Sequence, residues 1–351
     1  MIINISGYGY SGASAYRDLL KEFSDTTCFP AEFQLLQEPD GLLDLEYGLV
    51  LSPRRINSNT VICRFRKNIF SVRHDVYAQL SKGKYYSLTN DYLTSLVQAS
   101  WFGRSMYDPI DICPVYTKGK ILSWGKRCAE KICRHIGLAP RYNRRYYSSL
   151  PSGEFVQKTK QYIHDLLDYC GYSLDGYLML EQAFCLESPL NGAHCFDCDV
   201  KSIVVDRDPR DIFILTNKIF KSKSSFMPNA GDVEQFVRYY KMLHRSRSND
   251  DRVRYFSFED LLFDYDRIVE NLSSWLGIGQ NRNLKFRYFD PACSVANTKL
   301  YEKYPGMELE IDYIEKELHE YLYPFDKKPI AFKSKYSKVF DRQSDIVGDL
   351  E

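Results

Sequence analysis

The sequence predicts an α/β fold: a three-layer sandwich with a central parallel sheet and helices on both faces. Three observations predict it. Met1 to Ser6 (MIINIS) is a β-branched run without a turn residue, and Gly7-Tyr8-Gly9-Tyr10-Ser11-Gly12-Ala13-Ser14-Ala15 follows at once. Tyr16 to Phe23 comes next, with Leu19, Leu20 and Phe23 at helical spacing. Gly176 to Gln182 (GYLMLEQ) and Ser202 to Val205 (SIVV) are two further short apolar runs, each ending in polar or charged residues. Short buried strands alternating with amphipathic helices pack as a parallel sheet with right-handed crossovers.

The first strand, turn and helix have the layout of a phosphate-binding loop. Glycine lets the backbone approach an anion and take up positive φ. The amides of the first helical turn, with the helix dipole behind them, then favour its charge. Gly7-x4-Gly12-x-Ser14 has Walker A spacing, so the expected fold is of the P-loop-NTPase kind. Ala13, however, stands where the lysine belongs. That lysine reaches the β- and γ-phosphates, and its absence argues against ordinary ATP phosphoryl transfer. A tight turn that binds nothing is the alternative this segment leaves open.

Thr27 to Pro39 reads as a second strand through AEFQLL, with Pro39-Asp40-Gly41 as its exit turn. Leu42 to Leu51 reads as helical. Arg54, Arg55, Arg64, Arg66, Lys67 and Arg73 surround short apolar pieces. Thr89 to Phe102 is expected as an amphipathic helix, with Tyr92, Leu93, Leu96, Val97 and Trp101 on one side. Val115 to Ser149 carries Lys118, Lys120, Lys126, Arg127, Lys131, Arg134, Arg141, Arg144 and Arg145 against one acid, Glu130, with five aromatic residues interleaved. It reads as a solvated basic face or as a surface for an anionic ligand. Residues from about 54 to 150 are therefore expected to form a largely helical, basic insertion within an α/β domain spanning 1–325.

Phe155 to Tyr169 reads as a helix. In an open α/β sheet functional groups sit at the carboxyl ends of strands. Glu181 is placed there, and a capping or surface carboxylate is the other reading. Arg207 leaves the end of the SIVV strand. Asp208 suits a helix N-cap and Pro209 the first turn, with the helix read from Ile212. Asp264 to Leu276 is an amphipathic helix ending at Gly277. Ser294 to Lys303 is a tail loop, Ile311 to Leu322 a final helix, and 326–351 a polar tail.

Formal charge is +1, so no overall field selects nucleic acid or membrane, and no nucleic-acid motif occurs. The strand at Ile2 leaves no room for a signal peptide, and no apolar run reaches about 18 residues. A cytoplasmic protein without a transmembrane segment is expected; peripheral membrane contact and oligomeric state stay open. The 10 cysteines follow no framework spacing and read as thiols. His194-Cys195-Phe196-Asp197-Cys198 places one CxxC beside a histidine, but no second pair lies at zinc-site spacing, so no metal is expected.

Taken in order, the glycine/serine loop, VVDRDPRDI and FSFEDLLFDYDRIVENLSSWLGI resemble the sulfotransferases that use phosphoadenosine phosphosulfate (PAPS), and their carbohydrate-modifying branch more than the branch for phenols and steroids. The resemblance implies that Gly9, Tyr10, Ser11, Gly12, Ala13 and Ser14 bind the 5′-phosphosulfate. It implies that Arg207 grips the 3′-phosphate, which a guanidinium suits. A serine usually follows that arginine by a little over two helical turns; Leu215 holds that place here, and Thr216 comes next. Many members have Lys or Arg where this chain has Tyr10. Arg17, a basic residue of 54–67, or Lys299 and Lys303 of the tail loop are the substitutes. Members place a histidine, or in some cases a glutamate, at the end of the strand before the arginine. That implies Glu181 as general base, with His194 second and His74, Asp44 and Glu46 behind. The implied reaction moves a sulfuryl group from PAPS to a hydroxyl of a glycan, polysaccharide or glycolipid. A P-loop kinase of a small metabolite or nucleotide and a non-catalytic nucleotide- or glycan-binding relative are the alternatives.

Overall fold

The computed structural model describes residues 1–103, 124–125, 128, 131–132, 143–220, 232–245, 247–279 and 286–328. Most of the basic stretch Val115 to Ser149 and the tail beyond 328 lie outside the described residues. The chain divides into two compact units. One comprises residues 1–34, 173–193 and 198 onward; the other comprises 35–172 and 194–197.

The strands, in chain order, are β1 (Ile2–Gly7), β2 (Thr26–Glu32), β3 (Ala99–Gly103), β4 (Asn143–Tyr147), β5 (Tyr177–Glu181), β6 (Val200–Asp206) and β7 (Val253–Ser257). In the first unit five of them form a parallel sheet in the order β2-β5-β1-β6-β7. β1 lies at the centre and is buried at every position. This explains why it reads as an unbroken run rather than an alternating one.

The pleat sorts its side chains. Ile3, Ile5, Met179, Ile203 and Val205 pack with Tyr16, Leu19 and Leu20 of the helix Ala13–Leu20 and with Ile268, Leu272 and Leu276 of Tyr265–Leu276. Val204 packs instead with the helices Pro209–Ile214, Val233–His244 and Glu308–Glu317. The sheet is thus flanked by helices on both faces. Asn4 and Ser6 alternate with the two isoleucines and are fully buried. Asn4 Nδ2 donates to Ser202 Oγ at 2.6 Å, and Asn4 Oδ1 accepts from the amides of Ala183 and Phe184 at 3.0 and 3.3 Å. Ser6 Oγ donates to Phe184 O at 2.8 Å. This network satisfies the buried polar groups and pins the segment after β5 to the centre of the sheet.

The second unit is mainly helical. Lys84–Leu96 packs on Ser152–Tyr169 through a tyrosine pair: Tyr92 stacks on Tyr162 at 4.4 Å. The Tyr92 hydroxyl meets Thr159 at 2.8 Å, and that of Tyr162 meets Thr89 at 2.9 Å. Buried phenols need such partners. No helix among the described residues is long and apolar enough to cross a membrane.

The local expectations need four corrections. The second strand ends at Glu32 rather than running on through Leu36. The Leu42–Leu51 helix is α-helical only to Glu46 and continues as a π-helix over Tyr47–Leu51. The helix expected over Thr89–Phe102 spans Lys84–Leu96, and Trp101 stands in β3, opposite Arg145 of β4 in an antiparallel pair. Pairing with a remote segment overrides the local helical period there. The helix after β6 begins at Pro209, with Asp208 as its cap, rather than at Ile212.

Candidate phosphate-binding site

In the first unit, the loop after β1 bends through two left-handed residues, Tyr10 (φ 65) and Gly12 (φ 84). Alternation of this kind turns successive amides toward one concavity, the nest that holds anions. Gly12 stands at the N-cap of Ala13–Leu20 and no side chain caps that helix. The glycines are dictated by space as well as by φ. A Cβ at Gly7 would meet Ser11 Oγ at 2.3 Å, and one at Gly12 would meet the Phe258 ring at 2.6 Å. Ser11 Oγ is buried without a hydrogen-bond partner. Ala13 is buried, Gly9 and Tyr10 are half-buried, and Ser14 is exposed. The Tyr10 ring stacks on Phe220 at 4.7 Å.

Arg207 comes to this loop from the end of β6. Its Nη1 donates to Tyr10 O at 3.2 Å, Nη2 donates to Asn297 O, and the guanidinium lies 4.7 Å from the Phe258 ring centroid. Nε is buried without a hydrogen-bond partner. Burial lowers the basicity of Arg207, against the opposing charges of Asp211, Glu259 and Asp208. Two of those acids are raised in turn: burial pushes the Glu259 carboxyl up to about 8 and that of Asp211 up to about 6, although Arg207 pulls both down. Glu259 accepts from Asp208 N at 3.0 Å and from the Ser257 hydroxyl.

The tail segment docks on the same acids. Asp211 Oδ1 accepts from Leu300 N at 2.6 Å. Lys299, in left-handed backbone (φ 52), extends its ammonium toward Glu302 and the Phe325 ring. Lys303 Nζ donates to Ala296 O and Thr298 O at 2.7 and 2.8 Å. Burial lowers its basicity and Arg207 adds to the effect, while Asp211 and Glu302 oppose it. The structure thus brings Gly9–Ser14, Arg207 and the tail segment that carries Lys303 together at the carboxyl ends of β1 and β6, while the Lys299 ammonium turns to Glu302 and Phe325. Thr216 is fully buried and its hydroxyl donates to Ile212 O at 2.8 Å.

Glu181 ends β5, with Ile5 of β1 as its cross-strand neighbour. Its carboxylate accepts from Arg17 Nη1 at 2.7 Å, and Arg17 Nε donates to Asp18 at 3.0 Å. Glu32 of β2 is the register partner of Glu181 on the other side. Burial, and then the charge of Glu181, raise the Glu32 carboxyl above its ordinary value. Two carboxylates therefore lie side by side at the ends of β5 and β2, and Arg17 pairs with the one on β5. His194 belongs to the second unit, where its Nε2 lies 2.9 Å from Glu46 Oε2. Contacts with Cys195 and then Glu46 push its imidazole up to about 10. His74 is also in the second unit, buried between Glu38 and Tyr85.

Sequence reasoning missed a second set of residues that holds the loop from behind. Asp206 Oδ1 accepts from Arg207 N at 2.8 Å and from Tyr240 OH at 3.0 Å. Asp206 Oδ2 accepts from His244 Nε2 at 3.0 Å and from Arg247 Nη2 at 2.6 Å. His244 stacks between Tyr240 and the loop residue Tyr8, at 4.0 and 4.1 Å. Glu32 was missed because the strand was read past it. No local spacing marks His244 or Arg247.

No family model matches the chain, and no curated protein is similar to it at a significant level. Among solved structures, a sulfotransferase domain from the curacin biosynthetic pathway aligns over 92% of this chain and 98% of its own, at 13% identity and a TM-score of 0.38. A similarity at that level carries no assignment by itself.

Proposed function

We propose that the chain is a sulfotransferase that takes a sulfuryl group from PAPS and transfers it to a carbohydrate hydroxyl. The observation that supports this reading best is the pairing of an uncapped glycine-rich loop with a buried arginine. The loop lacks the lysine of ATP-binding loops, Ser11 Oγ and Arg207 Nε are buried without partners, and Arg207 holds the loop's own carbonyl. Buried donors left in this state fit an anionic ligand. PAPS supplies the sulfuryl group and leaves as adenosine 3′,5′-bisphosphate.

The loop amides, Ser11 and Ser14 hold the 5′-phosphosulfate, and Arg207 with Lys303 faces the 3′-phosphate. Sulfuryl transfer spreads charge over the moving group and the leaving phosphate, so positioned cations and amides supply most of the stabilisation. Tyr10 offers no cation; Arg17 and Lys299 are the described cations this reading puts in its place. Glu181 takes the proton of the attacking hydroxyl. Its contact with Arg17 Nη1, at 2.7 Å, fixes the carboxylate at the end of β5, where a base must be held within reach of the hydroxyl. Within the basic stretch expected to receive the acceptor, Arg144, Arg145, Tyr146 and Tyr147 lie on β4, and aromatic rings of that kind stack on sugar faces.

The test is a thermal-shift comparison. Adenosine 3′,5′-bisphosphate without metal is expected to raise the melting temperature, and ATP with magnesium is not. The reverse result transfers the site to the kinase reading. Stabilisation by the bisphosphate with no PAPS consumption across a panel of sugars leaves a nucleotide-binding relative without turnover.

A further inference from the structure

Three potential metal ligands meet in the second unit, and none of them is a group that the proposed reaction uses as first choice. Glu46, His194 and Cys195 each offer one donor atom, and these atoms lie within 4.8 Å of one another. Glu46 Oε2 and Oε1 stand 2.9 and 3.1 Å from His194 Nε2. In a tetrahedral zinc site, bonds of about 2.0–2.3 Å put neighbouring ligand atoms roughly 3.3–3.8 Å apart. The cluster needs shifts of about 1 Å or less to reach that spacing.

Local structure supports the same reading. Glu46 is the last residue of the α-helix Leu42–Glu46, where the helix widens into the π-turn Tyr47–Leu51. Such widenings recur at functional sites. His194 and Cys195 are neighbours on the 3-10 turn Ala193–Cys195. The Cys195 thiol and the Glu46 carboxylate are buried, whereas the His194 side chain is 43% exposed. The pocket thus has two buried, potentially anionic donors on one side and an opening to solvent on the other.

We infer that Glu46, His194 and Cys195 form a binding site for one zinc ion, with a fourth position open to water. The donor set is one oxygen, one nitrogen and one sulfur. A thiolate disfavours magnesium and calcium, which take oxygen ligands, and suits zinc. The ion would tie the segment at Glu46 to the turn at His194, 148 residues on. The CxxC that the sequence displays is not the pair involved: the cluster takes Cys195 and reaches to Glu46 for its third ligand.

The experiment uses the full chain, stripped with chelator, then given zinc or cobalt(II) alone. The wild type is expected to retain about one more equivalent of zinc through gel filtration than Glu46→Gln or His194→Ala. Each of these variants should bind at least tenfold more weakly. Cobalt(II) should produce a sulfur-to-metal charge-transfer band in the wild type that Cys195→Ser lacks. Glu46→Gln and His194→Ala alter a partly open pair, so they remain informative if Cys195→Ser fails to fold. Equal zinc retention by the wild type and both of those variants overturns the proposal. A charge-transfer band that survives in folded Cys195→Ser overturns it as well.

Discussion

In the helical unit, Glu38 and His74 are buried side by side. His74 Nε2 meets the carboxylate of Glu38, Nδ1 meets the Tyr85 hydroxyl, and Asn68 Nδ2 donates to Glu38 at 2.8 Å. Both ring nitrogens are engaged within the unit. In the parallel-sheet unit, Arg207 is buried among Asp208, Asp211 and Glu259, and the balance is different. Two carbonyls take its terminal nitrogens while Nε has no partner, and the nearby Ser11 hydroxyl has none either. Burial pushes two of those acids, Glu259 and Asp211, toward their neutral forms. A buried polar cluster whose donors are engaged serves packing; one that keeps unmet donors beside a glycine-rich loop is suited to a ligand. On the proposed reading the contrast separates a structural histidine from an arginine that meets a ligand, although both are buried and both face acids.

Four measurements break or sharpen this contrast, taken from the largest effect down. His74→Ala leaves Glu38 buried without its main partner. It should cost about 3–5 kcal/mol of unfolding free energy in urea titration, with the affinity of the remaining folded protein for adenosine 3′,5′-bisphosphate unchanged. A change in that affinity would make the helical cluster part of the site. Arg207→Ala should weaken bisphosphate binding by roughly 2–4 kcal/mol in isothermal titration, because a charge-assisted pair to phosphate is lost. Unaltered affinity would reduce Arg207 to a brace between Tyr10 and Asn297.

Glu181→Gln keeps the shape of the side chain and removes the base. Turnover should fall about a hundredfold or more while bisphosphate affinity holds. If Glu181→Gln retains full activity and His194→Ala loses it, the base is His194.

The smallest effect, read per pH unit, concerns the pH dependence of stability. Glu259 is raised from an unfolded value near 4.5 to about 8 in the fold, so the folded state binds more protons between those values. Its contribution is fully present below the unfolded value and is lost as pH rises through the folded one. The slope from this group is at most about 1.4 kcal/mol per pH unit. Glu259→Gln should flatten the stability profile between pH 5 and 8 in denaturant melts. An unchanged profile would assign the slope to other groups, Asp211 first.

Much of the first unit was legible in the sequence because its signals are local. β1, β5 and β6 are short apolar runs bounded by glycine or charge, and each was read close to its observed span. Asp208 caps its helix and Gly277 closes another in left-handed backbone, as their residue types require. Arg207 was legible because it follows an apolar strand directly. Trp101 was not: its spacing continues the helical period of Tyr92 and Leu96, and only pairing with β4 makes it a strand residue.

The sequence by itself determined the parallel α/β core, the glycine-rich loop after β1 and the strand-end positions of Glu181 and Arg207. Strand propensity, glycine conformation and helix capping act over a few residues and leave their marks in order along the chain. Tertiary structure alone decided which charges meet. It set Arg17 against Glu181, Asp206 against His244 and Arg247, Glu38 against His74, and Glu46 against His194 and Cys195. Those pairs join segments far apart in sequence, and the energy that fixes them depends on distance and burial. Neither quantity is defined until the chain has packed.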